Sequence, residues 1–198
     1  MKKREFVWAG LLLIFAALSL VIFNVWDATR AGRSAEQDLK KMQGMQVVDG
    51  NQEGGNQQEE LYEKYPELTM PTVDVEGKTY IGTLRIPALN LELPILETLN
   101  PNLLQIAPCR YEGSIYMGDM IIAGHNYYRH FGKLAELGIG DEVLFQDVNQ
   151  HEFSYQITEF ESIPGNQVEL MESGKWDLTL FTCDYSGRNR ITVRCQKQ

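Results

Sequence analysis

The stretch that decides the fold is residues 178–195, LTLFTCDYSGRNRITVRC. Two runs of alternating side chains flank a Ser-Gly turn, which is the pattern of a β-hairpin. Because side chains alternate along a strand, Phe181 and Cys183 share one face of the first strand. Arg190 and Arg194 share one face of the second. The hairpin therefore predicts a thiol at a strand end beside a guanidinium at the start of the next strand.

A thiol beside a fixed positive charge is the setting of a reactive cysteine, because the charge favours the thiolate. A free cysteine in a strand is nevertheless often a small buried hydrophobe, and arginines on a terminal strand often face water. The hairpin by itself does not decide whether Cys183 is a catalytic or a structural cysteine.

The composition bounds the class of protein. The 198 residues are 43% hydrophobic, enough for one domain with its own core and some additional segments. The net charge is −9, and no basic stripe or alternation of basic and aromatic residues is present. Nucleic-acid binding uses lysine and arginine to neutralise phosphates, so nucleic acid is not an expected partner.

A membrane anchor is predicted near the start of the sequence. Residues 6–26, FVWAGLLLIFAALSLVIFNVW, carry no charge, and at about 1.5 Å per residue they reach the roughly 30 Å of a bilayer's hydrocarbon layer. Trp8 and Trp26 stand where interfacial aromatics belong, and a basic cluster lies in residues 1–5. We expect residues 1–5 in the cytoplasm and the rest of the chain outside. The apolar run is longer than that of a cleaved signal peptide, which favours an uncleaved anchor.

Residues 27–77 are predicted to be an extracellular stalk and tether. Residues 27–42 have a mixed charge and tolerate helix, so they are expected to continue the anchor as a solvated stalk. Residues 43–60 are rich in Gly, Gln, Asn and Glu and have little to bury, which is typical of a flexible tether. The folded domain is then residues 78–198.

Short strand-like runs separated by breakers fill that domain, without a repeat or a long amphipathic helix. Small helices are expected over residues 103–107 and 131–137. Seven or eight short strands with one or two small helices predict a mainly β barrel. Besides the hairpin, the expected strands are residues 79–87, 91–96, 114–117, 120–125, 142–147 and 152–162.

His125 lies at the end of one of these strands, just as Cys183 lies at the end of another. Residues 120–125, MIIAGH, form an apolar strand with His125 at its exit. Acyl transfer needs a nucleophile, an acid for the leaving amine and stabilisation of the oxyanion. Cys183, His125 and Arg190 supply one of these each if the strands lie side by side. A lone histidine is more often structural, so the prediction of acyl transfer rests on the three residues together.

At this point the sequence resembles a known family. LTLFTC, a short turn and RITV are similar to the T-L-x-T-C…R signature of the sortases, membrane-anchored cysteine transpeptidases of Gram-positive bacteria. The resemblance covers residues 79–198 and includes YIGTLRIPALNLELPI, IIAGHN and FGKL. The anchor and tether also fit.

The resemblance implies an eight-stranded sortase-type β-barrel and a two-step reaction. The thiolate matching Cys183 attacks the Thr–Gly bond of an LPxTG-like sorting signal, and an amine acceptor resolves the thioacyl-enzyme. His125 matches the family's catalytic histidine and Arg190 its arginine. The turn between the strands is short, which leaves Arg188 or Arg194 as possible substitutes.

The implied partners are secreted proteins that bear a C-terminal sorting signal, with a cell-wall precursor or pilin amine as acceptor. Asn126, Thr182 and Arg110 are candidate substrate-binding residues, with a surface role open for Arg110. No second hydrophobic span or lid motif is seen, which favours a class B- or D-like enzyme over the pilus class C.

Several features have competing interpretations. No cofactor or metal is expected: His125 and His130 are near each other in the sequence, but they follow a strand and lack the glutamate of H-E-x-x-H. Cys109 and Cys195 are either a disulfide of an exported domain or two buried free thiols. Tyr127, Tyr128 and Phe131 line a peptide groove or pack in the core.

Two other functions remain open. One is a non-catalytic surface module that binds peptides irrespective of its thiol. The other is another peptidoglycan-directed cysteine acyl-transferase, such as an L,D-transpeptidase. The Ser-x-Gly-Cys-x-Arg setting of that family is absent from the sequence, which favours the sortase.

Overall fold

A computed structural model describes residues 2–49, 64–65, 67–172 and 176–198. A long helix, α1 (Lys2–Asp49), precedes the sheet, and two one-turn helices, α2 (Pro101–Leu104) and α3 (Val168–Met171), lie between strands. Short 3-10 turns cover Pro87–Leu89 and Leu134–Glu136. The strands in the described residues are β1 (Val73–Val75), β2 (Lys78–Ile86), β3 (Leu91–Leu96), β4 (Cys109–Glu112), β5 (Met120–Ala123), β6 (Glu142–Asp147), β7 (Glu152–Pro164), β8 (Leu178–Cys183) and β9 (Asn189–Lys197).

The strands close into a barrel. Their order is β1-β2-β3-β4-β5-β8-β9-β7-β6, and β6 pairs back onto β2. Strands β2 to β9 therefore form an eight-stranded closed barrel, which confirms the predicted fold, and β1 is a short addition beside β2. Closure brings β6 close to Gly82, where a Cβ atom would lie 2.2 Å from the carbonyl oxygen of Gln146. Only glycine fits this closing contact.

One face of each strand fills the barrel interior. The largest fully buried apolar side chains include Tyr80, Phe145 and Tyr155, which lie on β2, β6 and β7. Leu180 on β8 and Val193 on β9 are also fully buried. Burial of apolar surface is the main stabilising term for such a core, at about 25 cal/mol per Å². This packing gives the strand ends a rigid base.

Helix α1 has two distinct parts. Its apolar first part has exposed side chains, and the segment Phe6–Met45 is long and apolar enough to cross a membrane. Its second part packs against β1 and β3. The buried apolar side chains there are Ala31, Ala35, Leu39 and Met42, whose spacing places them on one helix face. Residues 27–42 therefore continue the helix beyond the apolar run, but the prediction that they are solvated is wrong on this buried face.

A buried ionic contact fastens this part of the helix to the barrel. Asp38 accepts hydrogen bonds from the Lys78 ammonium at 2.5 Å and from the Tyr80 hydroxyl at 2.7 Å. All three side chains are largely shielded from water. Residues 43–49, predicted to begin the flexible tether, continue the helix, and residues 50–60 of that tether lie outside the described residues.

Local predictions differ from the structure mainly at turns. Residues 114–117 form a turn instead of a strand, because Gly113 and Gly118 adopt positive φ and the Asp119 carboxylate accepts from the Ser114 amide. The strand in this part of the chain is β4, which ends just before residues 114–117. The helix expected over residues 131–137 shortens to one 3-10 turn, and α3 was not predicted.

Removing the Asp38 carboxylate should destabilise the full chain. In Asp38→Ala the half-buried Lys78 ammonium and the buried Tyr80 hydroxyl lose their acceptor, and we expect the free energy of unfolding to fall by about 3 kcal/mol. Urea denaturation in detergent micelles, followed by circular dichroism, measures this change. The matched control is Glu36→Ala, which removes an exposed carboxylate from the same helix and should change stability far less. Equal effects of the two substitutions would show that the contact of Asp38 with Lys78 and Tyr80 does not hold the helix on the barrel.

Candidate active site

Parallel pairing of β5 with β8 aligns the ends of these strands. Ala123 lies opposite Phe181, and the Gly124 amide donates to the Phe181 carbonyl at 3.0 Å. His125 and Cys183 each stand two residues beyond this pair. Because parallel strands run in the same direction, both residues leave the sheet at the same barrel end.

The antiparallel hairpin of β8 and β9 adds the arginine. Cys183 is directly opposite Arg190 in the register of the two strands. Residues opposite each other on one sheet face have Cβ atoms about 4.5–5.5 Å apart. The predicted adjacency of thiol and guanidinium therefore follows from this register.

His125, Cys183 and Arg190 line one groove of about 260 Å³. Cys183 and Arg190 are half-buried, so the groove admits a ligand to both. Its remaining walls are mostly apolar. They include Leu99, Leu104, Tyr111, Ile163, Val168, Met171 and Phe181. A mostly apolar groove with a few convergent polar groups is typical of a ligand-binding site.

The imidazole of His125 stacks on a neighbouring ring. Its centroid lies 4.7 Å from that of Tyr127, with 24° between the ring planes. The Tyr127 hydroxyl donates to the Asp27 carboxylate at 2.7 Å. Burial lowers the pKa of His125, and the negative charge of Asp27 partly opposes that shift. The neutral imidazole is thus favoured near pH 7.

Carbonyl groups of the hairpin turn hold Arg190. Its Nη1 lies 3.3 Å from the Gly187 oxygen and 3.4 Å from the Asn189 oxygen. The turn itself is braced by Asp184, whose carboxylate accepts from Ser186 and Asn189. The guanidinium is therefore restrained at the groove edge.

Neither alternative arginine reaches this groove. Arg194 is fully buried and donates to Glu161 at 2.6 Å and to Thr179 at 3.0 Å, as well as to two backbone carbonyls of α3. Arg188 is exposed in the turn. Of the three arginines considered, the structure places Arg190 alone with Cys183 and His125.

The three candidate substrate-binding residues are not brought into the groove lining. Arg110 donates to the carbonyls of Glu97 and Gly113, at 2.9 and 3.1 Å. Thr182 is buried on the face of β8 opposite Cys183. Asn126 is half-buried next to His125. Their contact with substrate remains a prediction.

The cysteines have distinct environments. All three are free thiols, so the structure contains no Cys109–Cys195 disulfide. Burial raises the pKa of Cys109 to about 11 and that of Cys195 to about 12, which disfavours their thiolates. Cys183 is the partly exposed thiol among them.

The aromatic residues after His125 take different places. Phe131 is a fully buried core residue, and Tyr128 is exposed with the Lys133 ammonium over its ring. His130 is fully buried, and burial together with nearby His125 lowers its pKa to about 4. Within the described ranges, no group of three or more His, Cys, Asp or Glu side chains forms a metal site.

Sequence reasoning missed two parts of this site. The first is the apolar groove wall on α3 and in the loop before α2, because isolated residues such as Leu99 and Val168 carry no periodic signal. The second is the link from Tyr127 to Asp27, which joins residues 100 positions apart. No local pattern indicates such a pair.

Comparison with known proteins identifies the family. The family model of the sortase domain matches residues 84–198, more than half of the chain. The chain belongs to the sortase family. Members of this family are cysteine transpeptidases associated with the cell membrane.

Two curated sortases are similar in sequence. Sortase A of Bacillus anthracis is 32% identical over 125 residues, covering 60% of this chain and 59% of that protein. Sortase D of Bacillus subtilis (strain 168) is 29% identical over 107 residues, covering 52% and 53%. This sortase thus spans between half and two thirds of the length of these relatives.

A solved structure shares the fold. The crystal structure of sortase C1 from Streptococcus agalactiae has a TM-score of 0.65 at 19% identity, covering 80% of this chain and 98% of that one. The similar proteins thus carry the names of sortases A, C and D. The class B- or D-like character of this sortase remains a prediction.

Selective alkylation should separate the three thiols. Iodoacetamide at pH 7.5 is expected to modify Cys183 in the folded full chain, because that thiol is accessible while Cys109 and Cys195 are buried. Peptide mapping by mass spectrometry locates the adduct, and Cys183→Ala is the control that should stay unmodified. Labelling of Cys195 as fast as Cys183 without denaturant would contradict the structure.

Acid should destabilise this sortase through His130. An unfolded histidine has a pKa of about 6.5, and His130 has a pKa of about 4 when folded, so the unfolded chain binds the proton first. As pH falls from 6.5 to 4, the free energy of unfolding should drop by on the order of 3 kcal/mol from this group.

Urea denaturation of the wild type and His130→Phe at pH 7 and pH 4.5 isolates this contribution. The wild type should lose more stability on acidification than the variant, whatever their difference at pH 7. Equal losses would show that His130 is not held neutral.

Proposed function

We propose that this sortase is a membrane-anchored cysteine transpeptidase that cleaves an LPxTG-like sorting signal and transfers the protein to an amine acceptor. One observation carries the proposal: the ends of three adjacent strands present His125, Cys183 and Arg190 to a single groove. A nucleophile, a proton carrier and a fixed cation are the groups that acyl transfer requires.

The first half-reaction forms a thioester. The Cys183 sulfur attacks the carbonyl carbon of the signal's threonine, and its proton passes to the neutral imidazole of His125. The Arg190 guanidinium stabilises the oxyanion of the tetrahedral intermediate. The bond from threonine to glycine then breaks, and the imidazolium gives its proton to the departing glycine amine.

The second half-reaction reverses these roles. An amine of the acceptor, a cell-wall precursor or a pilin lysine, attacks the thioester carbonyl. Neutral His125 accepts the proton of that amine, and the thiolate of Cys183 leaves as a new amide bond forms. The imidazolium then returns the proton to the sulfur, which restores the starting thiol and neutral imidazole. The apolar walls at Leu99, Ile163 and Val168 favour the leucine and proline of the signal and limit access of water to the thioester.

The proposed topology places the reaction outside the cell. Residues 6–26 span the membrane, residues 1–5 are cytoplasmic, and residues 78–198 are the extracellular catalytic domain. The exposed apolar part of α1 and the basic residues before it support this arrangement. The substrates are then secreted proteins that carry a C-terminal sorting signal.

Peptide cleavage by the full chain in lipid nanodiscs tests the proposal. LPxTG-type and NPxTN-type peptides are incubated with an amine acceptor, and mass spectrometry follows fragment release and the transfer product. Cys183→Ala and His125→Ala should reduce kcat/KM by at least about 10³-fold, and Arg190→Ala by about 10²–10³-fold.

Arg188→Ala is the matched control for the arginine. It removes an exposed guanidinium from the same hairpin turn, so kcat/KM should stay within about twofold of the wild type. A fully active Cys183→Ala enzyme would rule the mechanism out. Peptide binding without cleavage, unaffected by alkylation, would identify a non-catalytic binding module instead.

A further inference from the structure

We propose that Tyr127 and Asp27 are positioning residues for His125, so that the helix carrying the anchor orients the imidazole of the groove. This inference rests on the proposed function, since it concerns how that reaction is controlled. In this role α1 helps to orient the imidazole, in addition to anchoring the chain and packing on the barrel.

Two contacts in series connect the helix to the imidazole. The Tyr127 ring stacks on His125, which restrains the tilt of the imidazole plane. The Tyr127 hydroxyl in turn donates to Asp27 at 2.7 Å. A stacked ring that is held at its far end by a carboxylate has little freedom to rotate away.

The loop that carries these residues is closed on itself. The Phe131 amide donates to the His125 carbonyl at 3.1 Å, and the His130 and Gly132 amides donate to the Tyr127 carbonyl at 2.9 and 3.0 Å. These bonds fix the backbone at both ring-bearing residues. Side-chain orientation then depends on the stack and on its bond to Asp27.

The helix comes very close to this loop. A Cβ atom at Gly32 would lie 2.3 Å from Cδ of Arg129, and Ala31 is buried beside it. The guanidinium of Arg129 is also 3.7 Å from the Glu36 carboxylate. Asp27 is therefore presented to Tyr127 by a helix that is docked along the next two turns.

The charge of Asp27 has a second effect. It favours the imidazolium form of His125 and opposes the effect of burial on the pKa of that residue. The other titratable or charged groups around His125 are Tyr127, His130, Cys183 and Arg190. Asp27 supplies the negative charge that helps the imidazole hold the proton destined for the leaving amine.

The chain contains a matched pair for the test. Tyr127, in the loop after β5, and Tyr80, on β2, each donate to a carboxylate of α1 at 2.7 Å, Asp27 and Asp38 respectively. Only the first of the two stacks on His125. Tyr127→Phe and Tyr80→Phe thus each remove one helix–barrel hydrogen bond and keep the ring.

Kinetics of the full chain in nanodiscs distinguish the two bonds. Tyr127→Phe should lower kcat about tenfold with KM unchanged, and Tyr127→Ala about 10²-fold, since misplacing a reacting group by about 1 Å has that effect. Tyr80→Phe should retain wild-type kcat. Equal kcat values for Tyr127→Phe and Tyr80→Phe would overturn the positioning role while leaving the proposed function intact.

Titration of the imidazole gives a readout that does not depend on turnover. The chain has only three histidines, so NMR of the ¹³C-histidine-labelled full chain resolves His125. Asp27→Asn keeps an oxygen acceptor but removes the charge, and should move the pKa of His125 further down. Tyr80→Phe should leave it unchanged.

Each result has a defined meaning. If the wild type cleaves no peptide, the proposed function fails, and the His125 titration alone decides whether Asp27 acts on the imidazole. An unchanged His125 titration in Asp27→Asn would overturn the role of the charge. If the wild type is active, the comparison of Tyr127→Phe with Tyr80→Phe decides the positioning role.

Discussion

Hydrogen bonding between the parallel strands β5 and β8 is the constraint on which the site depends. Its register sets Ala123 against Phe181, so the residues that follow both strands leave the barrel together. A shift by one residue would turn Cys183 to the face now occupied by Thr182. The barrel protects this register, because a closed sheet has no free edge along which strands slip.

Burial gives two arginines on the same strand face different tasks. Arg190 lies at the strand start, where the groove leaves its guanidinium accessible. Arg194 is 1% exposed and donates to the carbonyls of Leu170 and Met171 at the end of α3. The buried arginine thus secures the short helix that supplies Val168 to the groove wall, while its neighbour faces the groove.

Sequence reasoning predicted the hairpin, the closed barrel and the grouping of the three groove residues, because alternation and strand ends are local signals. It misjudged residues 114–117, where two glycines with positive φ override an apolar, strand-like composition. It also treated residues 27–42 as solvated, although Ala31, Ala35, Leu39 and Met42 form a stripe that charged neighbours obscure. The bond between Tyr127 and Asp27 arises from tertiary packing and has no signature in either segment.

The unbroken course of α1 determines how far the groove lies from the bilayer. Asp27 immediately follows the apolar run, and Tyr127, one ring away from the imidazole, is bonded to it. In the proposed topology the groove therefore lies near the level of the lipid headgroups, and it cannot extend far from the membrane surface. In that topology the groove can act only on a sorting signal that comes close to the membrane surface.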